Sequence, residues 1–107
     1  MTTFDKVYEA VKRIPEGSVA TYGQVAEAVG NKRLSRVVGC ALHVNPEPGV
    51  IPCHRVVKKD GSLSPAFAFG GAGRQAELLR AEGVTLTDEE HVDMARCRVR
   101  ALPLILE

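Results

Sequence analysis

The sequence predicts a mainly α-helical domain: a three-helix core of winged helix-turn-helix type, with a small β-hairpin and a further C-terminal helix. Three observations carry this. Apolar residues recur at helical spacing in three successive stretches before residue 45. The second and third stretches are joined by a tight turn containing Gly30, the spacing of a helix-turn-helix. A β-branched cluster then leads into Asp60-Gly61, a strong hairpin-turn signal.

Phe4, Val7, Tyr8, Val11 and Ile14 place one face of a first helix over residues 4–14, with Thr3 as its N-cap and Pro15-Glu16-Gly17 ending it. Thr21 and Gln24 form a capping box ahead of Tyr22, Val25, Ala26 and Val29, a short second helix stopped by Gly30. Leu34, Val37, Val38, Ala41 and Leu42 define a third helix that ends before Asn45-Pro46. On pattern alone, residues 21–44 read as a plain core hairpin. Pro46, Pro48 and Gly49 mark a loop. Val50, Ile51, Val56 and Val57 then approach Lys58-Lys59-Asp60-Gly61, which predicts a two-stranded wing. Residues 64–73 read as a Gly- and Ala-rich loop. Gln75, Leu78, Leu79 and Glu82 predict a helix over about 72–82 closed by Gly83. Beyond it the periodicity fades. The apolar run Leu102-Pro103-Leu104-Ile105-Leu106 either docks on the body or pairs with an edge.

The 107 residues suffice for one domain with one modest core, and 45% hydrophobic residues supply it. With no Trp and 5% aromatics, that core must be aliphatic. No apolar run approaches a membrane span and no signal peptide is evident, so a cytoplasmic protein away from membranes is the expectation. Three cysteines, Cys40, Cys53 and Cys97, argue against a disulfide framework. A net charge of +1 excludes bulk attraction to nucleic acid, so any such binding must rest on local basic patches and on shape.

The chemistry centres on Pro52-Cys53-His54-Arg55-Val56-Val57. A thiol attacks as its thiolate; a nearby His can take the proton, and Arg55 adds charge that favours the anion. In a straight strand, adjacent side chains face opposite ways, so Cys53 and His54 cooperate only if the segment turns, as Pro52 suggests. The dipeptide by itself reads as a buried inert Cys beside a surface His.

That string resembles the active-site motif of the methylated-DNA–protein-cysteine methyltransferases, which repair 6-O-alkylguanine. Further blocks resemble the same family in the same order: Pro15-Glu16-Gly17 with Thr21 to Ala26, Arg36-Val37-Val38-Gly39 with Asn45-Pro46, and Arg74-Gln75 through Leu78, Leu79, Glu82 and Gly83. Together they cover residues 4 to about 86. The resemblance implies that Cys53 is the permanent alkyl acceptor, with His54 its base through a water. Glu82 would orient the relay and Asn45 would support the turn carrying Cys53. It implies that Tyr22 presses on the target nucleotide's phosphate and that Arg36 fills the gap left by the rotated base. Thr21, Gly39, Ala41, Lys32, Arg33 and Arg55 join Tyr22 and Arg36 as expected DNA contacts, with Lys58 and Lys59 as further phosphate contacts. The implied partner is double-stranded DNA bearing an alkylated guanine, with other repair proteins as further partners. The protein is expected to be a monomer and to need no cofactor.

The chain departs from the family in three places. Residues 1–107 correspond to the catalytic, DNA-binding domain alone, without the amino-terminal domain of longer members. Ala66-Phe67-Ala68-Phe69 precede Gly70-Gly71 where the family has a base-binding Tyr. Cys40 stands where the family has a second Gly. The short length is similar to that of the alkyltransferase-like proteins, which bind alkylated DNA but carry Trp at the cysteine position; a damage sensor is therefore the alternative function. A transcription-type helix-turn-helix protein would need more polar side chains than Val37, Val38, Gly39 and Ala41 offer on its recognition helix. A zinc site from Cys40, His43, Cys53 and His54 is a third class, with a spacing that matches no common finger.

Overall fold

The computed structural model describes residues 1–64 and 67–106. Within them the chain runs α1 (Thr3–Lys12), β1 (Ala20–Thr21), α2 (Tyr22–Val29), α3 (Ser35–His43), β2 (Val56–Val57), α4 (Gly71–Ala81), β3 (Leu86–Asp88), β4 (His91–Val92) and α5 (Met94–Cys97). Single 3₁₀ turns at Lys32–Leu34 and Cys53–Arg55 complete it. This is the mainly helical fold with small strand pairs that the sequence predicts. Pro65 and Ala66, part of the departing loop, lie outside the described residues.

Helix α1 begins one residue earlier than expected, because Thr2 rather than Thr3 is the cap. The Thr2 hydroxyl accepts from the Asp5 amide, and the Asp5 carboxylate accepts from the Thr2 amide, each at 3.1 Å. Helix α2 opens with the predicted box: the Thr21 hydroxyl accepts from Gln24 N and the Gln24 side chain accepts from Thr21 N, both at 3.0 Å. It closes at Gly30, whose φ of 114° suits a residue without a Cβ. Val7, Val11, Val25, Val38 and Leu42 bury the facing stripes of α1, α2 and α3 into one core, joined by Ile14 from the turn after α1.

The wing takes a different form from the one predicted. The Asp60-Gly61 turn is present, with Gly61 N donating to Lys58 O at 2.8 Å, but residues 50–57 do not form its first arm. Residues 53–55 are wound into a 3₁₀ turn, and Val56-Val57, buried on both faces, pair in parallel with Ala20-Thr21. The antiparallel hairpin is β3–β4, in the stretch where periodicity fades. Leu63 N donates to Glu90 O at 2.8 Å and Val92 N to Gly61 O at 2.9 Å, so the turn leans on this hairpin. A second core of Val19, Val57, Leu63, Leu79, Val84 and Val92 lies between them and α4.

The C-terminal tail docks on the body. Val19 N donates to Cys97 O and Val99 N to Val19 O, both at 2.8 Å, and Ile105 N donates to Ala28 O at 2.7 Å with its side chain buried. No helix among the described residues is long and apolar enough to cross a membrane.

Candidate functional site

The segment carrying Cys53 is fixed by Asn45. This buried side chain donates from Nδ2 to Ile51 O at 2.9 Å and accepts at Oδ1 from Glu47 N at 2.8 Å, tying the two ends of the loop after α3 together. Pro52, with φ −79° and ψ 66°, then sits at the centre of an inverse γ-turn closed by Cys53 N donating to Ile51 O at 2.8 Å. The following 3₁₀ turn has three residues per turn, so Cys53, His54 and Arg55 diverge by about a third of a turn each. The segment therefore turns, as cooperation of Cys53 and His54 requires. Cys53 faces a cleft, whereas His54 and Arg55 face Glu82 at the C-terminal end of α4.

Arg55 grips Glu82 with a two-pronged fork, Nε to Oε1 at 2.9 Å and Nη2 to Oε2 at 2.7 Å, while its Nη1 donates to Ile14 O at 2.8 Å. His54 Nε2 lies 3.0 Å from Glu82 Oε2. That nitrogen nonetheless has no well-aligned hydrogen-bond partner, so the contact is one of charge proximity rather than of a formed bond. The Arg55 fork holds the Glu82 carboxyl below its usual range, with the nearby His54 acting in the same direction and burial opposing both. Glu82 is therefore anionic at neutral pH, with its carboxylate beside His54 Nε2. Burial pushes the Cys53 thiol up, partly offset by hydrogen bonding from Asn45 and from the backbone. At rest Cys53 is a thiol, and it needs a base to become a nucleophile.

The cleft in front of Cys53 encloses about 300 Å³ between Tyr22, Arg36, Gly39, His43 and Phe67. That is the small end of ligand clefts, the scale of a single base. Helix α3 contributes Arg36, Gly39 and His43 at intervals of three and four, one outward stripe, while Val38, Ala41 and Leu42 form the buried one. A Cβ added to Gly39 would meet nothing within 4 Å, so no contact inside the protein requires glycine there. Tyr22 is half-buried; burial raises its hydroxyl pKa, against a hydrogen bond with Ser64. Phe67 packs edge-on against Phe69, ring centroids 5.7 Å apart.

Three of the expected DNA contacts have roles inside the protein. Ala41 is fully buried and its carbonyl accepts from the Tyr8 hydroxyl at 2.8 Å, because it lies on the inner stripe of α3. Thr21 is buried and occupied in capping α2. The Arg55 guanidinium is committed to Glu82 and Ile14. Lys32 and Arg33 are exposed on the turn before α3, Lys32 at 3.2 Å from Glu27. Cys40 is exposed and Cys53 buried, and among the described residues no group of three or more His, Cys, Asp or Glu side chains could hold a metal ion.

Gln75 is a member of the site that sequence reasoning treats only as part of a helix. It is buried, accepts at Oε1 from Ser64 N at 3.0 Å, and donates from Nε2 to His54 O and Val56 O, both at 3.1 Å. It thus pins the segment after Cys53 to α4. The available signal was a polar residue on the apolar face of an amphipathic helix.

Comparison with known proteins places these features in context. The sequence model of the 6-O-methylguanine DNA methyltransferase DNA-binding domain matches residues 2–84. The chain is 39% identical over 95 residues to a bifunctional methyltransferase/endonuclease of Thermoplasma volcanium, of which it spans only 29%. It is 40% identical over 93 residues to the DNA base-flipping protein of Escherichia coli, covering 87% of this chain and 70% of that one. It is 43% identical over 84 residues to alkyltransferase-like protein 1 of Schizosaccharomyces pombe, covering 78% and 77%. Among solved structures, the S. pombe protein in complex with damaged DNA containing O6-carboxymethylguanine superposes with TM-score 0.76 at 35% identity, covering 92% of this chain and 94% of that one. The O6-methylguanine methyltransferase of Mycobacterium tuberculosis superposes with TM-score 0.69 at 34% identity, covering 78% of this chain and 49% of that one.

Proposed function

The chain belongs to the family of the 6-O-methylguanine DNA methyltransferase DNA-binding domain, and from that premise we propose that it accepts an alkyl group from 6-O-alkylguanine in duplex DNA onto Cys53. The observation that carries this reading is the orientation of one short turn. It aims the Cys53 thiol into a base-sized cleft and His54 at an anionic Glu82.

In the proposed reaction, α3 lies in the minor groove with Arg36 and Gly39 outermost, and the damaged nucleotide rotates into the cleft past Tyr22 at a cost of a few kcal/mol. Arg36 replaces it in the stack. His54 takes the Cys53 proton through a water, and Glu82 stabilises the imidazolium that forms. The Cys53 Sγ–alkyl bond forms as the alkyl–O6 bond breaks, and the departing guanine takes up the proton. One thiol and one alkylguanine become one thioether and one guanine, with no cofactor. Because the thioether does not reverse, each molecule acts once.

A second reading has its own support. The thiol raised by burial and the near end-to-end superposition on the alkyltransferase-like protein favour damage sensing, in which the lesion is held without transfer. Intact-protein mass spectrometry after incubation with a duplex bearing one 6-O-methylguanine separates the two. The transferase gains one methyl group, mapped to Cys53, and Cys53→Ala gains none while still binding the duplex. Selective binding of the damaged duplex with no mass gain would replace transfer by sensing.

A further inference from the structure

A second groove opens beside the Cys53 cleft, and Tyr22 and Ser35 line both. It encloses about 840 Å³. Five cationic side chains from three separate parts of the chain converge on it: Lys32, Lys58, Lys59, Arg98 and Arg100, against the single acid Glu27. Lys32 is paired with Glu27, but no ion pair holds the other four among the described residues. A protein of net charge +1 has thus gathered an uncompensated basic patch at one place.

The two arginines are presented deliberately by the backbone. Residues 97–99 run alongside Val19, with Val19 N donating to Cys97 O and Val99 N to Val19 O, both at 2.8 Å. Gln24, the capping-box residue of α2, donates from Nε2 to Val99 O at 2.8 Å, fastening this segment to the helix-turn-helix. Side chains alternate along an extended segment, so half-buried Val99 packs on the core while Arg98 and Arg100 are both exposed on the groove side. This segment lies beyond residue 84, where the family match ends.

We propose that this groove holds the phosphodiester backbone of the same DNA whose damaged nucleotide occupies the Cys53 cleft, with Arg98 and Arg100 as phosphate ligands supplied by the C-terminal segment. The proposal rests on the DNA-binding reading above. Adjacency to the cleft identifies the polyanion, because a strand whose nucleotide occupies the cleft must pass the shared Tyr22 and Ser35, next to the groove. Guanidinium groups on a braced backbone suit phosphate oxygens, which they can meet two at a time.

The test uses the full chain and a labelled duplex with and without one 6-O-methylguanine, with affinity read by fluorescence anisotropy between about 50 and 200 mM salt. The double variant Arg98→Gln, Arg100→Gln should bind both duplexes more weakly. Its slope of log affinity against log salt should fall by about 1.8, or 0.9 for each phosphate contact removed. The preference for damaged over undamaged DNA should persist, and Arg98→Lys, Arg100→Lys should keep most of the slope. An unchanged slope in the Gln variant, or an equal loss in the Lys variant, overturns the proposal while leaving lesion binding intact. Failure of the unmodified protein to bind either duplex overturns lesion binding itself and this proposal with it.

Discussion

Replacing Arg55 by Lys separates two roles that its sequence position allows. If Arg55 meets DNA phosphates, Lys keeps the charge and stability barely changes. In the structure Arg55 makes three hydrogen bonds, two to the Glu82 carboxylate and one to Ile14 O. Lys has a single ammonium and can satisfy about one of these directions, so two are lost. Hydrogen bonds to charged groups contribute about 1.5–3 kcal/mol each. The Arg55 and Glu82 side chains are each 15% exposed, so water softens the loss and the lower figure applies. Arg55→Lys should therefore cost about 3 kcal/mol, a large share of the ~5–15 kcal/mol that holds a domain together. At about 4 °C per kcal/mol for a chain of this size, the melting temperature should drop by about 12 °C. Urea denaturation followed by circular dichroism measures this, with an unchanged m-value showing that stability alone has moved. The effect should depend on pH with a definite sign. Glu82 is held below its unfolded pKa, so the stability that its carboxylate contributes is complete above about pH 5 and fades as pH falls through the lowered folded value. The gap between the two proteins should close accordingly in acid. A change of less than about 0.5 kcal/mol, together with a clear loss of duplex affinity, would refute the assignment of Arg55 to Glu82.

Other perturbations test the parts around Cys53. Asn45→Ala removes both bonds across the loop after α3 and should cost about 2–3 kcal/mol by chemical denaturation. It also removes a group that favours the Cys53 thiolate, so the pH profile of alkyl transfer should move to higher pH; an unmoved profile would limit Asn45 to structure. Gly39→Ala should stabilise the fold by about 0.5–1 kcal/mol, since the added Cβ meets nothing, yet weaken duplex binding in an anisotropy titration. Unchanged affinity would mean that α3 does not approach DNA closely at Gly39. Gln75→Ala strands three backbone partners and should cost about 3 kcal/mol with the melting temperature as readout, as well as slowing transfer.

The helices were legible because their signals are local. The Thr21–Gln24 box, the Gly30 stop and the 3.6-residue period lie within a few positions of the atoms they control. The parallel pairing of Ala20-Thr21 with Val56-Val57 was not, because it joins segments some 36 residues apart and two-residue strands have no period. The Asp60-Gly61 signal correctly marked a turn, but a turn signal does not name the strands that flank it. The site divides in the same way. Cys53, His54 and Asn45 lie in one short stretch, and their proximity could be read directly. The Arg55 fork onto Glu82 spans 27 positions, so the charge of Arg55 suggested DNA when its partner was an acid inside the protein. Ala41 was assigned by size alone; the phase of Val38 and Leu42 already put it on the inner face of α3.

Under the proposed transfer, an acceptor that works once must be spared from every electrophile except the intended one, and the contrast between Cys53 and Cys40 makes this testable. Cys40 is exposed on α3, whereas Cys53 is 7% exposed with its thiol raised by burial. Reaction of a thiol depends on its thiolate fraction and its access, and Cys53 is disadvantaged in both. Limited treatment of the DNA-free protein with iodoacetamide, followed by peptide mapping, should label Cys40 well before Cys53. Cys97, also buried at 7% exposure, serves as the unreactive reference. A Cys53 slow toward iodoacetamide yet methylated by damaged duplex would place the activation in the bound complex, where the rotated base brings the alkyl group and its own leaving group to the thiol. Labelling of Cys53 as fast as Cys40 would mean that the thiolate is already formed at rest, and the selectivity would then have to come from lesion binding alone.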